Sequence, residues 1–349
     1  MGTERIAHAL GDFLINVLTT ITMTTRRTLI ALASLLALVG TAHAQTAVQK
    51  ELASDKFTLV APFPPGGAID TLARVLADGL GKRYNQTALV DNAPGAAGNI
   101  GMDKVKKAKG DGHTLLVIPA GNLTINPTLM PKFPFNVQKD FVPVTMLAKT
   151  PNVLVTTPST GIKSVADLIA RAKAKPDTLS YASPGIGSGL HLAGELFKAQ
   201  ANVDILHIAY KGSNVAINDL LGGNVPLMFS NLPTVLPHIK SGKLIGLALT
   251  DSVRTPTAPE IPTMGEEGIP NIVVPSWYGL LAPAGTPADV VEQLARDAAE
   301  ILAQPQVVEQ LKAQGMTGWN LKTAAFDKHI RDETASWAKV IKARNITME

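Results

Sequence analysis

Seven short apolar runs, separated by segments with helical periodicity, restrict the fold of this chain more than any other feature of its sequence. The helical spacing is clearest after the first run, where Ile69, Leu72, Leu76 and Leu80 lie on one face. Strands that alternate with amphipathic helices are typical of α/β proteins with largely parallel sheets. The predicted strands are FTLVAP (57–62), HTLLVIP (113–119), NVLVTTP (152–158), LSYAS (179–183), ILHIAY (205–210), VPLMFS (225–230) and LIGLALT (244–250).

Two long apolar passages predict that the chain folds into two lobes. They are FVPVTMLAKTPNVLVTT (141–157) and IVVPSWYGLLAP (272–283). Because the chain of 349 residues exceeds the size of one hydrophobic core, we expect each passage to cross between the lobes, the pair forming a hinge. Lobe 1 is expected to comprise residues 45–150 with 276–349, and lobe 2 residues 151–275, each a mostly parallel sheet flanked by helices.

The first 44 residues are interpreted as an upstream extension and a signal peptide. From Met23 the sequence has a basic start, an apolar stretch at 29–39 and the residues Ala-His-Ala at 42–44. This is the pattern of a secretory signal with its cleavage site. We therefore predict export, with cleavage after Ala44; an uncleaved N-terminal anchor is the alternative.

Charge and residue content exclude several function classes. The formal net charge is only +4, without basic blocks, which argues against nucleic acid as a partner. The absence of cysteine excludes disulfides, thiolate metal sites and a cysteine nucleophile, and the histidines lack metal-ligand spacing. Neither a dinucleotide fingerprint nor a P-loop is present. We predict no metal and no cofactor.

The stretch PPGGAID (64–70) joins the first predicted strand to a helix. Gly66 and Gly67 permit unusual backbone angles and leave no side chain between the backbone and a ligand. The unpaired N–H groups and the dipole of a helix N-terminus favour an anion, so a carboxylate or phosphate could bind there. The alternative is a tight turn in which Asp70 compensates the helix dipole.

A second loop of the same kind, SPGIGSGLH (183–191), follows the fourth predicted strand. Ser188 is the predicted N-cap of the next helix. His191 either donates to a bound carboxylate or lies on the surface. A Ser188–His191 hydrolase lacks the G-x-S-x-G elbow, because Ile186 stands where glycine is required. Ligands of α/β sheets bind beyond the carboxyl ends of strands, so the two loops could hold the two ends of a small dianion.

Other predicted strand ends carry polar residues that either contact a ligand or hold a turn. Lys211 could attract anions or be solvated. The remaining candidates are Asn122 and Thr124 in PAGNLTINPTL, Tyr210 in YKGS, and Ser230 and Asn231 in MFSNLP.

Taken together, these stretches resemble the substrate-binding proteins of tripartite tricarboxylate transporters, the Bug family. The segments that carry the resemblance include PFPPGGAIDTLARVLADGL, DNAPGAAGNIG, DGHTLLV, INPTL, YASPGIGSGLHLAGELF, YKGSNVAINDLLGGNVPLMFSNLPTVLPHIKSGKL and SWYGLLAPAGTP. The resemblance implies a two-lobed periplasmic binding protein of type II that closes on a small organic acid and delivers it to a membrane permease. It also implies that loop backbone at two helix N-termini holds the carboxylates. The implied ligand-binding residues are Phe63, Gly66, Gly67 and Asp70 in one lobe, and Ser183, Gly187, Ser188 and His191 in the other.

The chain departs from the family pattern at two positions. Many relatives have MFDNLP where this chain has Ser230, a difference that removes a negative charge able to pair with an amino group. Ile186 stands where the family is often polar, and with Phe63 it could flank an apolar or aromatic ligand body.

The sequence therefore predicts a monomeric, non-enzymatic capture protein for a dicarboxylate, a tricarboxylate or an aromatic carboxylate. The alternative is an exported α/β enzyme that acts on a carboxylate substrate.

Overall fold

The computed structural model describes residues 47–176, 178–343 and 345–347. The predicted signal peptide and its cleavage site lie outside the described residues. The chain divides into two compact units, Met1–Ser54 and Asp55–Glu349. In the first unit, the described residues 47–52 are helical. In the described segments, no helix combines the length and the apolar composition that a membrane crossing requires.

The second unit contains two β-sheets. The strand order of the first sheet is β11-β4-β10-β3-β1-β2, and that of the second is β7-β6-β8-β5-β9. The strands are β1 Phe57–Ala61, β2 Ala88–Asn92, β3 Thr114–Pro119, β4 Phe141–Thr150, β5 Asn152–Thr156, β6 Ser180–Ser183, β7 Leu206–Ala209, β8 Leu227–Asn231, β9 Ile245–Leu249, β10 Ser276–Pro283 and β11 Thr317–Leu321. All seven predicted strands are observed, within two residues at each end. We refer to the first sheet with its helices as lobe 1 and to the second as lobe 2.

Helices flank both sheets. They are α1 Ala68–Tyr84, α2 Asn99–Lys106, α3 Ala120–Thr124, α4 Asn126–Leu129, α5 Val137–Asp140, α6 Val165–Ala174, α7 Gly189–Ala201, α8 Ser213–Leu221, α9 Leu232–Lys240, α10 Ala288–Leu302, α11 Pro305–Ala313 and α12 Thr323–Ala343. The prediction of a two-lobed α/β fold is confirmed.

Strand direction differs from the mostly parallel sheets that the sequence predicted, because both sheets are mixed. In lobe 1, β1 pairs in parallel with β2 and β3, whereas β10 runs antiparallel to β3 and β4. In lobe 2, β6 is parallel to β7 and β8, whereas β5 is antiparallel to β8 and β9. The antiparallel strands β4, β5 and β10 are those of the two apolar passages that cross between the lobes. Of these, only β5 was among the seven predicted strands, whereas β4 and β10 were predicted only as parts of the crossing passages, and apolar composition does not encode strand direction.

The C-terminal helix α12 contributes to the cores of both lobes. Phe326 and Ile330 lie in a buried cluster with lobe 1 residues such as Leu116. About two and three turns later, Trp337 and Ile341 lie in a buried cluster formed mainly by lobe 2. One apolar face of this helix therefore contributes buried side chains to a cluster of lobe 1 and to a cluster that extends into lobe 2.

Candidate functional site

Each lobe presents several helix N-termini along one edge of its sheet. In lobe 1, the parallel strands β1, β2 and β3 lead into α1, α2 and α3, and in lobe 2 β6, β7 and β8 lead into α7, α8 and α9. Three of these helices have glycine at the N-cap without any side-chain cap, namely Gly67, Gly98 and Gly212. Their first N–H groups are therefore available to an anion.

The lobe 1 loop (residues 63–67) is folded around the carboxylate of Asp70. This carboxylate accepts hydrogen bonds from Gly66 N at 3.0 Å, Arg74 Nε at 2.9 Å and Asn92 Nδ2 at 3.1 Å. Burial opposes the charged form, but the hydrogen bonds from these three donors outweigh it and lower the pKa of Asp70. The structure thus places Asp70 within the hydrogen-bond network of the loop itself.

The glycines of this loop border open space. Gly66 has a φ of +91°, which favours glycine, whereas Gly67 has an ordinary extended backbone with φ −92° and ψ 177°. A Cβ atom built on either residue has no other heavy atom within 4 Å. A ligand can therefore approach the backbone at the start of α1.

Side-chain hydrogen bonds join the three loops of lobe 1 into one surface. Asn92 Nδ2 donates to Phe63 O at 3.2 Å, and Asn122 Nδ2 donates to Ala97 O at 2.7 Å. Gly98, with a φ of +93°, packs so closely that a Cβ atom would lie 2.8 Å from Asn122 Nδ2 and 3.3 Å from the Phe63 ring. Phe63 and Asn122 are thus brought together beside a helix N-terminus that the sequence reading did not single out. Its signal was the glycine pair of PGAAGN.

Thr124, a further predicted site residue, is fully buried in lobe 1. Its hydroxyl donates to Ala120 O of its own helix at 3.1 Å.

The lobe 2 loop (residues 184–188) is held by the residues that follow it. Ser188 is the N-cap of α7, as predicted; its Oγ accepts from His191 N at 3.1 Å and donates to Gly185 O at 2.7 Å. Gly187, with a φ of +79°, donates its N–H to His191 Nδ1 at 3.3 Å. Ser183 is fully buried and its Oγ contacts His207 Nε2 at 2.7 Å. Hydrogen bonds with side chains of lobe 2 therefore fix the backbone of this loop.

His191 is buried, which excludes the alternative of a surface histidine. Its ring stacks on that of His207 with 4.1 Å between the centroids. Burial and then the charge of Lys198 lower the pKa of His191 to about 4, so the ring is neutral. Because Nδ1 accepts from Gly187, the proton lies on Nε2. Among the described residues Nε2 has no hydrogen-bond partner, so it is available as a donor.

Two further predicted site residues of lobe 2 have partners within their own lobe. The Tyr210 hydroxyl donates to Asp219 Oδ2 at 2.9 Å, and Ser230 Oγ lies 3.1 Å from Thr234 Oγ1.

Asn231, at the end of β8, contacts both crossover segments. Its Nδ2 donates to Asn152 Oδ1 at 2.7 Å, just after the first crossing, and to Ser276 Oγ at 2.9 Å, just after the second. Asn152 in turn donates to Val274 O at 2.6 Å. Asn231 thus lies in the hinge.

The lobe 2 loop rests directly on lobe 1. A Cβ atom at Gly121, in the first turn of α3, would lie 2.9 Å from Gly187 O, and one at Gly187 would lie 2.8 Å from Asn126 Oδ1. Gly121 adjoins Asn122, which lies beside Gly98. The loop of lobe 2 therefore lies next to the loop surface of lobe 1.

The carboxylates around the loops already accept hydrogen bonds from protein groups. Asp70 and Asp219 accept hydrogen bonds as described, and Glu195 accepts from the Tyr181 hydroxyl at 2.8 Å. Lys211 is exposed. Over the ranges that the structure describes, no group of three or more His, Asp or Glu side chains is placed to hold a metal ion. The site offers N–H and hydroxyl donors rather than formal charges.

The comparisons with known proteins agree with this geometry. Residues 72–346 match the family described as "Tripartite tricarboxylate transporter family receptor". The chain is 39% identical over 314 residues to the protein BugT of Bordetella pertussis, covering 88% of this chain and 96% of BugT.

Two similar proteins have been solved with a small acid bound. R. palustris Rpa4515 with adipate is 35% identical, with a TM-score of 0.77 over 84% of this chain and 98% of that one. MatC from Rhodopseudomonas palustris with bound malate is 28% identical, with a TM-score of 0.74 over 82% of this chain and 99% of that one.

Proposed function

This chain belongs to the tripartite tricarboxylate transporter receptor family, and from that premise we propose that it captures a small di- or tricarboxylate between its lobes in the periplasm and delivers it to a membrane permease. The observation that carries the proposal is the uncapped start of α1 at Gly67, open to solvent, within a loop surface that the opposing lobe 2 loop contacts. Backbone N–H groups of these loops would hold the carboxylates, and His191 Nε2 would add a donor.

A carboxylic acid without an amino group fits the site best. The carboxylates near the loops, Asp70, Glu195 and Asp219, already accept hydrogen bonds from protein groups. An ammonium group would therefore lose its hydration without gaining a free carboxylate partner, which is costly. Adipate and malate, the ligands of the two similar solved proteins, are acids of this kind.

The arrangement of serine and histidine favours binding over catalysis. The Ser188 hydroxyl contacts the backbone of His191 and not its ring. Ser183 Oγ does hydrogen-bond the ring of His207, but Ser183 is fully buried. Among the described residues, no carboxylate hydrogen-bonds the other ring nitrogen of His207, so the orienting third group of a hydrolase is missing. Neither of these serine–histidine pairs therefore supports the exported-enzyme alternative.

We also propose that the lobes divide at residues 150/151 and 275/276, and that the receptor acts as a monomer. The change of sheet between β4 and β5, and again at the start of β10, supports the two boundaries. The secretory pattern of residues 23–44 supports export, and N-terminal sequencing of the mature protein should begin at Gln45. A start far from this residue would contradict the cleavage site.

A thermal-shift panel tests the ligand class. The purified protein is heated with succinate, malate, adipate, citrate, terephthalate, aspartate, glutamate and glucose. An acid at ~100 times its dissociation constant should add ~2.7 kcal/mol to the free energy of unfolding. We expect a shift with at least one amino-free acid and a smaller shift with aspartate and glutamate. A shift with glucose alone would reject the proposal.

Delivery to a permease needs a test in cells. Deletion of the gene should abolish high-affinity uptake of the acid that the panel identifies, and the wild-type gene should restore it. A gene with Gly67→Val should not. Unchanged uptake after deletion would reject the transport role while leaving the binding role intact.

A further inference from the structure

Gly121 and Gly187, one from each lobe, are in direct backbone contact. Gly121 lies in the first turn of α3, and a Cβ atom at this position would lie 2.9 Å from Gly187 O. Real Cβ atoms do not approach a backbone oxygen so closely, so any side chain at residue 121 requires the two segments to separate.

The backbone conformation of Gly121 does not itself require glycine. Gly121 is absent from the residues with positive φ and lies within a helix, where alanine is more favourable than glycine. Its other neighbour, Ile125 Cδ1, would be at an ordinary 3.7 Å from the Cβ atom. The contact with lobe 2 is thus what a side chain at residue 121 would disturb.

The lobe 2 loop is poorly able to yield to such a side chain. The Gly187 N–H is bonded to the buried ring of His191, and Ser188 Oγ is bonded to Gly185 O. Gly187 is also close to Asn126 Oδ1 and Leu129 Cδ2 of lobe 1, which a Cβ atom at Gly187 would approach to 2.8 Å and 3.2 Å. A side chain at residue 121 would therefore move lobe 2 as a body rather than deform the loop.

We propose that Gly121 is a positioning residue that sets the closest approach of lobe 2 to lobe 1, and thereby the length of acid that fits between the loops. Only the second part of this inference, the length of the acid that fits, rests on the proposed function. Gly121 adjoins the surface formed by Phe63, Gly98 and Asn122, so the spacing at Gly121–Gly187 fixes the separation between the two sets of donors. A larger residue 121 lengthens the cleft.

The first experiment needs no ligand. The chain has no cysteine, so spin labels at Lys139→Cys in lobe 1 and Lys173→Cys in lobe 2, both exposed, are unique. Double electron–electron resonance then gives the shortest interlobe distance that the protein samples, with and without acid. We expect this distance to increase from wild type to Gly121→Ala and again to Gly121→Leu.

The matched control is Gly265→Ala. Gly265 also lacks positive φ, and its Cβ atom would make only an ordinary contact, 3.7 Å from Thr263 Oγ1. This variant should keep the wild-type distance. Melting temperatures of all variants establish that they fold. An unchanged shortest distance in a folded Gly121→Ala and Gly121→Leu overturns the proposal.

The second experiment measures the consequence for binding. Calorimetric titration with succinate, glutarate, adipate, pimelate and suberate gives a chain-length profile for each variant. For Gly121→Ala we expect the best wild-type acid to bind about tenfold more weakly, as when a methyl group is forced into a packed contact, and the optimum to move to a longer acid.

The two experiments separate the two proposals. If the distances shift but the wild-type protein binds none of these acids or citrate, Gly121 is a spacing residue and the proposed function fails. If the acids bind and the variants keep the wild-type profile, Gly121 does not select ligand length.

Discussion

Gly67 is the position at which we expect a substitution to affect ligand binding strongly and folding only slightly. Its backbone angles are open to any L-residue, and a Cβ atom there meets no other heavy atom within 4 Å. We predict that Gly67→Val abolishes the thermal shift with the best acid, because its side chain blocks the N–H groups at the start of α1. The variant should lose only about 1 kcal/mol of unfolding free energy, the usual effect of a poorer N-cap.

Gly67→Ala adds a smaller side chain at the same position and should bind the acid with intermediate affinity. Gly265→Ala serves as the control for an added side chain at an unstrained glycine. Calorimetric titration provides the affinities and chemical denaturation the stabilities. Wild-type affinity in Gly67→Val would show that the ligand does not approach this backbone.

Local chemistry at single residues could be predicted from the sequence, whereas distant partners could not. The N-cap role of Ser188 follows from its place before a helix and is confirmed. The hydrogen-bond donors to the Asp70 carboxylate lie within 22 residues of it in the sequence. Asn231 pairs with Asn152, 79 residues away. Whether such an amide faces a ligand or a hinge depends on which strands become neighbours, and a sequence pattern does not specify this.

At the scale of elements, two neutral imidazoles contact the residues that precede α7. The buried ring of His191 stacks on the half-buried ring of His207, and their pKa values are lowered to about 4 and about 3. Burial is the first cause in both cases. Protonation of His191 Nδ1 would remove the acceptor for the Gly187 N–H, so acid both destabilises the lobe and loosens its loop.

We therefore predict that stability decreases as the pH falls from about 6.5 to about 4. Over this range the unfolded chain binds a proton at His191 that the folded chain does not, so the free energy of unfolding decreases. Above pH 6.5 neither state is protonated and the effect vanishes. Between pH 7 and pH 5 the loss from His191 alone is about 2 kcal/mol.

Urea denaturation across this pH range measures the effect. His191→Gln should be less stable than wild type near neutral pH but should show a flatter decrease, because it lacks the titrating ring. His238→Gln, on the partly exposed α9, is the control and should keep the wild-type slope. Equal slopes in His191→Gln and wild type would exclude His191 as the source.

Element identity was largely predictable, and element direction was not. Apolar runs located seven strands, β1, β3 and β5 to β9, and helical spacing located α1, whereas β4 and β10 were predicted only as passages between the lobes. The edge strand β2 is only partly buried and β11 is mostly exposed, so neither has the apolar run that marks a central strand. The mixed sheets arise because β5 and β10 enter their sheets from the opposite lobe.

At the scale of the whole molecule, the helix α12 is hydrogen-bonded to one of the crossover strands. Trp277, at the start of β10, donates its indole N–H to Glu333 Oε2 at 2.7 Å. Trp337 donates to the other oxygen of Glu333 at 3.0 Å and packs into the cluster formed mainly by lobe 2. One carboxylate of α12 thus joins a crossover strand to a tryptophan of the same helix. The sequence predicted the crossings but not this bridge.

The hydrogen bonds between the crossover segments and β8 should also affect the angle between the lobes, and a substitution of Asn231 tests their contribution. Removing its amide deletes two hydrogen bonds, to Asn152 and Ser276. Asn152 Oδ1 still accepts from Ser276 Oγ at 3.1 Å, so no buried group is left unpaired and the cost to stability should be about 1 kcal/mol. Asn231→Ala should therefore fold.

Because these bonds fix both crossover segments to the end of β8, we predict that Asn231→Ala broadens the interlobe distance distribution of the free protein. With fewer molecules in the closed state, the apparent affinity for the best acid should fall about fivefold, the equivalent of about 1 kcal/mol. Asn224→Ala is the control, since it removes an exposed amide hydrogen bond to Asp219 far from the crossovers. If Asn231→Ala has the distribution of Asn224→Ala, the crossovers are held by their backbone pairing alone, and the angle between the lobes is set by α12 and the Gly121–Gly187 contact.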